Sequence, residues 1–144
     1  YYPGMKPELV DSLVEQGYKG IVIAGTGLGH VNKPLYPALK RATDSGVHVV
    51  MTVQTLWGYA QMYVYDTGRD LLDLGIIPLD NMLPETAYMK LGWVLGHTHD
   101  REEVSKMMRT PVSGETTPRE PHNGYVILQG GLPETEEFIA NHWK

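Results

Sequence analysis

Gly25, Gly27 and Gly29 alternate along the chain and are followed at once by His30, in the run Gly-Ile-Val-Ile-Ala-Gly-Thr-Gly-Leu-Gly-His over residues 20–30. Glycine at alternate positions lets backbone N–H groups approach a ligand that any Cβ would exclude. An imidazole just beyond can donate to a carboxylate or titrate near neutrality. The spacing narrows the ligand. A dinucleotide fingerprint needs Gly-x-Gly-x-x-Gly and an acidic residue about 20 positions on, at the end of the second strand. Here the glycines keep a strict two-residue spacing, and Asp44, at nearly the right distance, precedes Gly46 and hence the second strand. The nicotinamide reading fails. What stays open is a purely structural tight turn or a backbone cradle for a small polar ligand, with His30 a ligand contact or a surface histidine.

Other groups offer chemistry and a plainer role side by side. His97-Thr98-His99-Asp100 contains zinc-ligand types, but a third or fourth ligand is not evident, and Asp100 with Glu103 reads as a helix cap. No metal is expected. Residues 54–69 form a polar, tyrosine-rich connection, long enough to be a binding loop or an oligomer interface. Within it Arg69 suits a bound carboxylate or an ion pair with Asp70 and Asp73. Glu85, Glu102, Glu103, Glu115 and Glu120 read as helix starts or solvated loop residues. The hydroxyls of Thr26, Thr52, Thr55 and Ser113 have no base beside them in the sequence, so no catalytic residue is expected in this chain.

The elements that position these groups follow from periodicity. Pro7 starts a helix with Leu9, Val10, Leu13 and Val14 on one face, and Gly17 stops it. A strand at 20–24 empties into the glycine turn. Leu35, Ala38, Leu39 and Ala42 mark a second helix ended by Gly46, and Val47–Val53, interrupted by His48, reads as a strand covered on both faces. A short helix near 68–74, a small strand at 76–79, and a helix from Pro84 with Ala87, Leu91, Val94 and Leu95 inward come next. A helix follows the Asp100 cap, with Val104, Met107 and Met108 inward. A Pro- and Thr-rich loop from Gly114 to Gly124, a last strand at Tyr125–Gln129 and an acidic tail complete the reading. Such alternation predicts an α/β domain with a small open parallel sheet and helices on both faces.

Composition sets the bounds. A length of 144 residues suits one domain. A net charge of -5 argues against broad binding to a phosphate backbone. With no cysteine there is no disulfide framework or thiolate chemistry, which fits a cytoplasmic protein. No stretch approaches the roughly 20 apolar residues that span a bilayer, so no membrane contact is expected. The start at Tyr1-Tyr2-Pro3-Gly4 reads as the end of a strand from a longer chain.

The order of motifs carries more than any one of them. Tyr-Pro-Gly-Met at 2–5, Gly-Tyr-Lys-Gly-Ile-Val-Ile at 17–23 and Gly-Thr-Gly-Leu-Gly-His at 25–30 are joined by three others. These are Thr-Val-Gln-Thr-Leu-x-Gly at 52–58, Met-Tyr-Val-Tyr-Asp-Thr-Gly-Arg at 62–69 and Met-Leu-Pro-Glu-Thr-Ala at 82–87. Together they resemble the C-terminal domain of asparaginase-type amidohydrolases, which implies a flavodoxin-like shape over 1–144. Gly-Leu-Gly-His and Trp-Val-Leu-Gly-His-Thr at 93–98 look most like the D-type branch, the glutaminase subunits of archaeal glutamyl-tRNA(Gln) amidotransferases. The resemblance implies that a threonine nucleophile, a second threonine, an aspartate and a lysine sit in a larger N-terminal domain absent from this chain. It implies a homodimer through this domain, which closes a neighbouring subunit's site. Gly27, Gly29, His30 and Tyr65 are then the substrate-binding candidates, His30 standing where many relatives carry asparagine. By the same likeness ammonia released from glutamine passes to an E-type partner subunit. That partner, with ATP and Mg, converts Glu-tRNA(Gln) and makes the main tRNA contacts. The alternatives are the same domain of a cytoplasmic L-asparaginase, or a non-catalytic small-ligand binding module.

Overall fold

A computed structural model describes residues 1–117 together with 137, 140 and 141. In chain order the elements are α1 (Glu8–Glu15), β1 (Gly20–Gly25), a 3₁₀ turn (Lys33–Leu35), α2 (Tyr36–Asp44), β2 (His48–Val53), α3 (Asp66–Asp73), β3 (Ile77–Pro78), α4 (Pro84–Leu95) and α5 (Arg101–Arg109). The strands form a parallel sheet in the order β1-β2-β3, with Gly20 opposite His48, Gly25 opposite Val53 and Val50 opposite Ile77.

Because successive strand residues face opposite ways, the sheet feeds two separate cores. Ile21, Val49 and Met51 point to one face, where they pack with Val10 of α1, Ala38, Leu39 and Ala42 of α2, and Leu71 of α3. Val50 and Ile77 point to the other, against Ala87, Leu91 and Val94 of α4 and Val104 and Met108 of α5. All six residues of β2 are buried, His48 included, which is why that strand reads as a nearly unbroken apolar run. Burial lowers the His48 imidazole below its ordinary value, since desolvation disfavours the charged form. The expected small parallel sheet with helices on both faces is therefore what the chain forms.

Three local readings change. α3 begins at Asp66 rather than at Gly68. Tyr65 is extended and ends the loop, and the Asp66 carboxylate accepts the Thr67 N–H at 2.8 Å. The cap at Asp100 is half a capping box: its side chain accepts the Glu103 N–H at 2.9 Å, while its own N–H donates to the Thr98 hydroxyl at 3.1 Å. β3 is shorter than 76–79. Its Leu79 N–H donates to the Met51 carbonyl at 2.9 Å, so Ile77 and Leu79 turn toward β2 and Pro78 faces outward. A residue without an N–H at that position removes a donor from the outer edge of β3. The expected strand at Tyr125–Gln129, the tail beyond it and Glu120 lie outside the described residues. Among those described, no helix is long and apolar enough to cross a membrane.

Candidate functional site

The carboxyl ends of β1 and β2 open into two neighbouring loops, residues 26–32 and 54–65, where parallel sheets habitually bind ligands. The first loop closes on itself. The Gly29 and His30 N–H groups both donate to the Thr26 carbonyl, at 3.0 and 2.9 Å, and the Thr26 N–H returns to the His30 carbonyl at 3.0 Å. Gly27 and Gly29 hold φ of 53° and 93°, which disfavours any side chain. A Cβ on Gly29 would also stand 3.1 Å from Met51 Cγ and 3.2 Å from Met62 Cγ. The glycines thus build a compact turn whose own carbonyl takes up two of its N–H groups. What the turn presents is the side chain that follows it.

That side chain is His30, half-buried between the two loops. Its Nδ1 lies 3.3 Å from the Thr67 hydroxyl, and its ring sits 5.6 Å from that of Tyr65 at 56°. Thr67 is held from the other side, its carbonyl accepting the Tyr36 hydroxyl at 3.0 Å. Burial, followed by the charges of Asp70 and Asp66, raises the Tyr36 pKa, so this phenol stays a donor. His30 Nε2 is shielded from water and has no hydrogen-bond partner among the described residues, and the same is true of Asn32 Oδ1 next door. Buried polar atoms of folded proteins are nearly always paired, so these two orphans at a strand-end loop are exceptions, open to a partner that the described residues do not supply. The Thr67–His30 contact has the composition of a nucleophile and base, but no third group among the described residues orients the ring through Nε2. It fixes the imidazole. Sequence reading missed Thr67, which lies 37 positions from its partner.

The second loop wraps around the first. Met62 is fully buried beneath it, and the Ala60 N–H donates to the Asp80 carbonyl at 2.8 Å. Gln54 Nε2 reaches the Ala24 carbonyl at 3.1 Å, tying the ends of β1 and β2 together. Tyr63, Val64 and Tyr65 are left 62, 52 and 55 % exposed, an apolar run beside His30. Arg69 departs from its reading as an ion-pair partner of Asp70 and Asp73. Its guanidinium donates to the Tyr63 carbonyl at 2.9 Å and braces the loop, while Asp70 meets Lys33 at 3.9 Å.

The other candidates go elsewhere. His97 contacts the Trp93 carbonyl at 2.7 Å and lies tilted against its indole, Asp100 is the cap, and no three metal-binding side chains converge among the described residues. The Thr26 and Thr52 hydroxyls donate to the His30 and Ile23 carbonyls, both at 3.3 Å. Glu115 overturns its reading as a solvated loop residue. Its carboxylate lies 2.5 Å from Lys90 Nζ, both side chains are only 7 % exposed, and the Val112 and Ser113 N–H groups also donate to it. Lys90 first, then those N–H groups, holds the Glu115 pKa down at about 2. The one sequence clue was a lysine three residues after Ala87 on a helix face that is otherwise apolar.

Fold and site together define the class: an α/β domain that offers a shaped turn and an imidazole at its strand ends. The chain belongs to the Glutaminase/Asparaginase C-terminal domain family, whose model matches residues 1–108. It is 58% identical over 126 residues to the D-type subunit of the Pyrococcus furiosus glutamyl-tRNA(Gln) amidotransferase, covering 88% of this chain and 29% of that protein. The D-type subunit of Thermococcus kodakarensis is also 58% identical, over 81% of this chain and 27% of its own length. The chain therefore spans less than a third of these relatives. Among solved structures, the thermostable L-asparaginase of T. kodakarensis superposes with a TM-score of 0.75 at 36% identity, over 82% of this chain and 36% of that one. L-asparaginase I of Vibrio cholerae gives 0.74 at 34%, over 81% of this chain and 36% of that one.

Proposed function

We propose that this chain is the covering domain of a glutaminase subunit of the glutamyl-tRNA(Gln) amidotransferase type. The observation that carries the reading is the orphaned Nε2 of His30 at the strand-end loops, flanked by the exposed ring of Tyr65. An imidazole fixed at Nδ1 by Thr67 has its other nitrogen unpaired and covered, so a shift of the exposed Tyr65 ring is what would open it to the α-carboxylate or amide of glutamine. Gly27 and Gly29 set the position of His30, and Tyr65 gives the ligand an apolar wall. The threonine nucleophile and its supporting residues lie in a preceding domain, and the product ammonia leaves for an E-type partner subunit. This domain pairs with its copy in a homodimer and completes the neighbouring site. ATP and Mg belong to the partner, in keeping with a glycine turn whose own carbonyl takes the Gly29 and His30 N–H groups that a phosphate would need. Glu-tRNA(Gln) is left to the same partner by a chain of net charge -5.

The asparaginase reading draws on the two superposed structures, and one assay separates them. The full-length protein is expected to release ammonia from glutamine in preference to asparagine, and faster when partner and Glu-tRNA are present. The 144 residues alone are expected to release none. A full-length protein that prefers asparagine and ignores the partner is an asparaginase. Turnover by the isolated chain would show that the reacting groups are here after all.

A further inference from the structure

The end of α5 does not leave the molecule. From Thr110 the chain turns back across α4 and then reaches Tyr59 in the 54–65 loop and Asn81 after β3, touching each at a polar contact. Lys90 Nζ donates to the Thr110 carbonyl at 2.7 Å and to Glu115 at 2.5 Å. Glu115 in turn collects the Val112 and Ser113 N–H groups at 3.0 and 2.8 Å, folding 112–115 into a tight bend. Two residues on, the Thr117 N–H donates to Asn81 Oδ1 at 3.0 Å, and Asn81 Nδ2 donates to the Thr117 hydroxyl at 2.8 Å. The Thr117 carbonyl accepts the Tyr59 hydroxyl at 2.9 Å. Tyr59 and Asn81 are the immediate neighbours of Ala60 and Asp80, whose backbones are bonded to each other, and Ala60 packs over Gly29.

We infer that residues 110–117 are a strap that holds the 54–65 loop closed against the Gly25–His30 turn, with Lys90–Glu115 as one fastening and Thr117 between Tyr59 and Asn81 as the other. Tyr59, Asn81 and Glu115 are thus positioning residues. Their role at the ligand rests on the reading of this end as the glutamine-facing one. A buried ion pair is a costly way to hold two segments together, since desolvation offsets much of the attraction, whereas it fixes register in a way that apolar contacts do not. Register is what this path requires. A slip of one residue at Glu115 would carry Thr117 off both of its partners.

Hydrogen exchange on the full-length protein tests this without any substrate. Tyr59→Phe and Asn81→Ala cut the far fastening and leave the ion pair intact. Each is expected to speed exchange of amides in 55–65 by about tenfold or more, with β2 unchanged. Glu115→Ala should do the same, and Glu115→Gln, which keeps one acceptor oxygen for the bend but strands the Lys90 ammonium, should restore only part of the protection. Faster exchange confined to 110–117, with 55–65 unchanged in the Tyr59 and Asn81 variants, would overturn the strap. Steady-state kinetics then address the site: the same two variants should raise KM for glutamine and leave kcat nearly unchanged. A loop that exchanges faster with no change in KM would uphold the strap and overturn the glutamine-facing reading of this end.

Discussion

Lys90→Ala is expected to destabilise the protein by about 3–5 kcal/mol, because it leaves the Glu115 carboxylate buried without its cation. The loss is large for a single side chain because water cannot substitute for the ammonium. Both groups are 7 % exposed, and Lys90 also takes the Thr110 carbonyl at 2.7 Å. Replacing both partners with apolar residues, as in Lys90→Met with Glu115→Leu, should recover most of the loss, since no charge is then left stranded. Urea unfolding of the wild type, the single variant and the double variant measures both quantities. Acid acts on the same pair with a definite sign. Glu115 titrates near 4.5 when unfolded and at about 2 when folded, so the unfolded chain binds more protons between those values. The pair's contribution is complete above about pH 4.5 and is lost as pH falls toward about 2. Lys90→Ala should accordingly flatten stability over that interval. A wild-type urea midpoint in Lys90→Ala would mean that the pair is solvated.

Gly68→Ala is expected to cost about 2–3 kcal/mol through overpacking alone. Gly68 is helical, so no backbone strain contributes. Its Cα faces the preceding loop so closely that a Cβ would stand 2.2 Å from the Met62 carbonyl oxygen. Neither side yields cheaply: the carbonyl belongs to the backbone, and Met62 is fully buried against Gly29. The methyl group must therefore lift the 54–65 loop or push α3 outward, which moves Thr67 away from His30. Thermal unfolding reads the stability loss, and faster proteolysis within 54–65 locates it. Alanine at the exposed Gly92 of α4 serves as the control, because nothing among the described residues stands within 4 Å of its Cβ position and alanine favours a helix. Equal losses at the two positions would contradict the packing described here.

How much of this was written in the sequence depends on the distance over which each feature is encoded. The strands and most helices are local. The two-sided apolar run of β2 and the glycine stops at 17 and 46 placed them to within a residue or two. The direction of the sheet followed from the alternation of elements. The glycine turn was equally visible as a landmark, but its logic was not. Spacing suggested open N–H groups, and the structure shows two of them closed back on Thr26. The features that join distant positions were illegible. Thr67 beneath His30, Lys90 with Glu115, and Thr117 between Tyr59 and Asn81 each bring together residues 25 to 58 positions apart. No periodicity marks such pairs, because one polar residue on an amphipathic helix looks the same whether it meets water or a partner. Arg69 shows the opposite error. Adjacent acids made an ion pair plausible, and a backbone carbonyl took its place.

The role proposed for this domain depends above all on His30 facing the substrate. The direct measurement is the steady-state kinetics of glutamine hydrolysis by the full-length protein carrying His30→Ala, with His30→Asn as the conservative comparison. Loss of one hydrogen bond to a charged group is expected to raise KM by roughly 10- to 100-fold, with kcat little changed. Asparagine should restore part of the loss. A wild-type KM in a folded His30→Ala protein would show that the turn at the end of β1 faces no glutamine, and the proposed role of this domain would be wrong.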